Sequence, residues 1–94
     1  MKHAGSDTLD RLEPVLVELR KLGGLRERKR GTFYRGGSAF LHFHEDPAGF
    51  FADVKLEGDF IRLPANSSKE IAMLIRRVRA ALNDPTRRPS LGMK

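Results

Sequence analysis

The chain has 94 residues, 39% hydrophobic and 32% charged, which fits one globular domain and excludes a disordered chain. The absence of cysteine excludes a disulfide framework, a zinc–thiolate centre and a thiol nucleophile. No run reaches the apolar length of a membrane span or a signal-peptide core, so a cytoplasmic protein without a membrane partner is expected, and a formal charge of +6 raises the question of an anionic one.

In chain order, Met1 to Ser6 is short and polar and reads as a loose end, with His3 a solvated bystander. Leu9, Leu12, Leu16 and Leu19, flanked by Val15 and Leu22, line one face of a helix within Asp7 to Leu22. Pro14 fits only a first helical turn, which sets the regular start near Arg11 or Glu13, and Gly23-Gly24 ends it. Leu25 to Arg30 is a charged connector or an edge strand protected from aggregation by its charge.

Gly31 to Pro64 then reads as a four-stranded antiparallel meander. Gly36-Gly37 is a two-residue hairpin signal, Asp46-Pro47-Ala48-Gly49 a four-residue connection, and Gly58-Asp59 a third turn. These turns set Phe33 opposite Phe40, His42 opposite Asp53, and Lys55 opposite Arg62. Alternation then separates two faces. One collects Tyr34, Ala39, Leu41, Phe43, Phe50, Ala52, Val54, Leu56, Ile61 and Leu63. The other collects Phe33, Arg35, Phe40, His42, His44, Phe51, Asp53, Lys55, Phe60 and Arg62.

Ser67 and Glu70 form a capping box, after which Ile71, Leu74, Ile75, Val78 and Leu82 make a helical stripe with Arg76, Arg77 and Arg79 turned away. Asn83-Asp84-Pro85 stops that helix. The expected fold is a two-layer α+β sandwich of order α-β-β-β-β-α, with both helices on one sheet face. It forms a single domain over residues 1–84, followed by a flexible basic tail over residues 85–94.

The uncovered face carries the functional question, because four phenylalanines together on an open sheet call for a cover. The preferred reading is a non-enzymatic binding module whose face packs on a second copy, or under the chain's own ends. A second reading is a divalent-metal or small-ligand site at His42, His44 and Asp53, with Glu45 as a fourth ligand at the turn. The plainer alternative for these residues is a cross-strand His42–Asp53 ion pair, with His44 lying against Phe51. A third reading is nucleic-acid or other anion binding through Arg26, Arg28, Arg30, Arg76, Arg77 and Arg79. No serine or threonine stands in a nucleophile motif and no glycine-rich phosphate loop is present, so the sequence points away from an enzyme.

The run FYRGGSAFLHFHEDPAGFFADV, Phe33 to Val54, resembles a family of short, uncharacterised bacterial proteins with a similar FYR…AFLHFHEDPAG…ADV core. The resemblance covers residues 25–82. It implies a soluble bacterial domain and transfers no catalytic residue.

Overall fold

The computed structural model describes residues 1–83, so the expected basic tail lies outside the described residues. The elements are β1 (Lys2–His3), α1 (Ser6–Arg11), α2 (Glu13–Arg20), β2 (Arg26–Lys29), β3 (Thr32–Arg35), β4 (Ser38–Asp46), β5 (Gly49–Leu56), β6 (Asp59–Pro64) and α3 (Ser68–Asn83). The class is α+β with an antiparallel sheet, as the sequence predicts. The expected four-strand, two-helix layout is too simple, because the sheet has six strands and the first helical segment is split. Strand order is β2-β3-β4-β5-β6, and β1 lies against the far end of β4.

Pro14 accounts for the split. In a continuous helix its ring would clash with the Asp10 carbonyl, so the chain breaks at Leu12 (φ −90°, ψ 2°) and restarts with Pro14 in the first turn of α2. The break keeps one apolar surface, since Leu9, Leu12, Val15, Leu16 and Leu19 are all buried. They share a core with Leu74, Val78 and Ala81 of α3 and with Leu41, Phe43, Ala52, Val54 and Leu56 of the sheet. The capping box forms, with the Glu70 amide donating to Ser67 Oγ at 3.1 Å and the Ser67 amide to Glu70 Oε1 at 3.3 Å.

Two departures from the expected register decide which side chains face solvent. The first is a bulge between β3 and β4. Tyr34 pairs with Ala39, but Phe33 pairs with Leu41 and Thr32 with His42, which leaves Phe40 as an extra residue. Phe33 and Phe40 therefore lie in the core, 1% and 3% exposed, and not on the open face. Arg35 leaves that face too, because its guanidinium donates to the Ala81 carbonyl of α3. Tyr34 and Ala39, expected in the core, are only half-buried.

The second departure is at the last hairpin. Its turn is Glu57-Gly58, both residues at positive φ (52° and 93°), so Leu56 pairs with Asp59. This is a shift of two residues from expectation, so the faces are preserved but the partners change. Arg62 now stands across from Asp53, and Phe60 across from Lys55. Between these hairpins the β4–β5 register is as the sequence predicts, with His42 opposite Asp53 and His44 opposite Phe51.

Candidate metal centre

Strand alternation places His42 and His44 of β4 and Asp53 of β5 on the face away from the helices. The N-terminal segment, expected to be a loose end, adds β1 to the same neighbourhood. His3 pairs with His44 and Lys2 with Glu45, and the Ala4 amide donates to the Phe43 carbonyl at 3.1 Å. All three histidines of the chain thus converge on one patch.

The rings touch one another. His3 stacks on His44 with centroids 4.8 Å apart and planes 29° apart, while His42 meets His44 edge-on at 4.8 Å. Phe60 closes one side, its centroid 5.2 Å from the His42 ring. One ligand nitrogen from each imidazole lies within 4.8 Å of the other two. His42 Nδ1 and His44 Nε2 are closest, at 2.8 Å.

His44 Nε2 also lies 3.1 Å from Asp53 Oδ2, and both residues are about nine-tenths buried. Asp53 in turn accepts two hydrogen bonds from Arg62, at 2.8 Å from Nε and 3.0 Å from Nη2. The expected His42–Asp53 ion pair is therefore replaced by an Arg62–Asp53–His44 chain. The Arg62 hydrogen bonds hold the Asp53 carboxyl below the usual carboxylate range, against the opposing effect of burial. The His42 imidazole sits below its ordinary value, first because it is desolvated and second because of neighbouring His44. It is therefore neutral at neutral pH, as a metal ligand must be.

His44 Nε2 faces both His42 Nδ1 and Asp53 Oδ2. The other ring nitrogen, His44 Nδ1, is buried with no hydrogen-bond partner. Two imidazole nitrogens at 2.8 Å repel unless a proton or a cation lies between them. A metal bound at 2.0–2.1 Å in a tetrahedron sets its ligands about 3.3 Å apart. The His42–His44 spacing of 2.8 Å lies below that value and the whole set falls within 4.8 Å, with His3 on the exposed side. Nitrogen donors of this kind suit zinc, nickel, copper or cobalt, and not magnesium or calcium.

The remaining expected site residues lie elsewhere or at the margin. Glu45 points to the helix side, where it accepts from the Thr8 hydroxyl and the Gly5 amide, so it is no fourth ligand. Phe51, Lys55, Phe60 and Arg62 stay on the open face. Of the six arginines, Arg26 is exposed on β2, where it pairs with Tyr34. Arg30 is tied to Asp10 and Glu13, Arg28 lies 4.8 Å over the Tyr34 ring, and Arg76, Arg77 and Arg79 are exposed on α3. Sequence reading missed His3, because a two-residue strand has no periodicity to detect.

No family model, curated protein or solved structure matches the chain. Among the described residues no helix is long and apolar enough to cross a membrane.

Proposed function

We propose that this domain is a binding module that holds one divalent transition-metal ion on its open sheet face through His3, His42 and His44. One observation carries the reading: every histidine in the chain supplies a ligand atom within 4.8 Å of the others. Asp53 Oδ2, held in place by Arg62, lies 3.1 Å from the same His44 Nε2 and so sets a negative charge beside the ion's position. Three nitrogen donors leave at least one coordination position for water or an exogenous ligand.

Face-to-face packing of two copies has less support, since Phe33 and Phe40 belong to the core and only Phe51 and Phe60 stay on the face. Anion binding has less support as well, since Arg30 is already paired with carboxylates of its own chain.

The test is calorimetric titration of zinc into untagged protein stripped with chelator. The expected result is saturation at one ion per chain, with His42→Ala and His44→Ala each weakening binding by about tenfold or more. Absence of saturable binding, or equal binding by the His44→Ala protein, overturns the proposal.

A further inference from the structure

The two edges of the sheet are built differently. β2 is an edge strand of sequence RERK with a register break at Arg28. Its charge and irregularity block pairing with another chain. At the opposite edge β6, of sequence DFIRLP, pairs regularly with β5 and has no such break. Phe60 and Ile61, adjacent on this strand and pointing to opposite faces, are 44% and 37% exposed.

The hydrogen-bond phase of β6 follows from its turn. In a two-residue hairpin the residues flanking the turn, Leu56 and Asp59, exchange both backbone hydrogen bonds, and the pattern repeats at every second residue. Asp59, Ile61 and Leu63 therefore direct their peptide groups toward β5. The Ala65 amide continues the same phase, donating to the Phe50 carbonyl at 2.9 Å. Phe60, Arg62 and Pro64 direct theirs outward. The one proline of the strand thus sits where a missing N–H costs β5 nothing. The outward N–H and C=O groups of Phe60 and Arg62 form the template for another strand.

We infer that β6 pairs antiparallel with β6 of a second copy, about a two-fold axis normal to the sheet at Ile61. Such an axis keeps each face on its own side, so only registers that match residues of one face are allowed. Centring on Arg62 sets two arginines against each other, and centring on Phe60 sets Ile61 against Asp59. Centring on Ile61 avoids the arginine clash and moves Asp59 out to the last pair, against Leu63, away from the axis. It sets Phe60 against Arg62 of the second copy on the open face, and Ile61 against Ile61 on the helix face. Phe60 and Arg62 then exchange main-chain hydrogen bonds on each side of the axis. The product is one continuous sheet with both histidine patches on the same side.

The experiment is sedimentation equilibrium on the full chain with chelator present, so that metal bridging contributes nothing. Wild-type protein forms a dimer. Ile61→Lys places two ammonium groups in direct opposition and raises the dimer Kd by about tenfold or more, and Ile61→Glu does the same. Mixing the two variants restores a dimer, since Lys then faces Glu across the axis. Circular dichroism melts establish that each variant is folded. A wild-type monomer at millimolar concentration overturns the inference, as does a dimer indifferent to Ile61→Lys or a mixture that stays monomeric.

Discussion

Asp53 has two jobs at once, and its surroundings explain how. The Arg62 fork neutralises its charge and fixes its plane, so that Oδ2 faces His44 Nε2 at 3.1 Å. Asp53→Asn keeps the shape but removes the negative charge beside the cation position, so zinc affinity falls by about tenfold while the fold persists. Titration calorimetry on the folded variant measures this. A second carboxylate ties the helical layer to the edge of the sheet. Glu27 of β2 accepts from Arg20 of α2 at 2.6 Å and 3.1 Å, and from the Gly31 amide at 2.9 Å. The Arg20 hydrogen bonds, and then the Gly31 amide, hold its carboxyl below the usual range. Its folded value being depressed, its contribution is complete above the ordinary carboxylate range and is lost as pH falls from there through the lower folded value. Glu27→Gln therefore lowers the urea midpoint at neutral pH, and the difference from wild type shrinks as the pH falls below the ordinary carboxylate range.

At the scale of elements, the phenylalanine-bearing hairpin does the unexpected work. The extra residue in β4 turns Phe40 into the core beside Phe33, and Phe40→Ala should cost about 3–5 kcal/mol by chemical denaturation. Gly49 is a second sensitive point. It has φ +133°, and a methyl group there would sit 2.5 Å from Asn66 Oδ1, the atom that accepts from the Phe50 amide at 2.8 Å. Gly49→Ala therefore destabilises by backbone strain and by displacing Asn66, which a lowered melting temperature reports. Turn chemistry made part of this layer legible: Asp46 to Gly49 set the hairpin register that places His42 opposite Asp53, while Gly36-Gly37 fixed only the Arg35–Ser38 and Tyr34–Ala39 pairs. The bulge was not legible, because alternation of Phe33, Tyr34, Ala39 and Phe40 reads equally well without an extra residue. The last turn misled for a related reason. Glu57 adopts φ 52°, a conformation that sequence assigns first to Gly58 and its neighbour. The final helix was legible throughout, since its cap and its apolar stripe agree.

For the molecule as a whole, the core lies between the helices and one sheet face, which leaves the opposite face for chemistry. Its histidine patch joins the start of the chain to the centre of the sheet, because His3 comes from β1 and His42 and His44 from β4. A bound ion therefore links β1 to the sheet, and its binding free energy adds to folding stability. Zinc at about 100 times its Kd should stabilise the fold by about 2.7 kcal/mol. Affinity falls as acid protonates the imidazoles. The most direct test observes the ligands themselves, by nitrogen-15 spectra of the three imidazoles during a zinc titration of untagged protein. Joint movement of His3, His42 and His44, complete at one ion per chain, is the predicted result. Three unmoved imidazoles, or a response confined to exposed His3, would contradict the account.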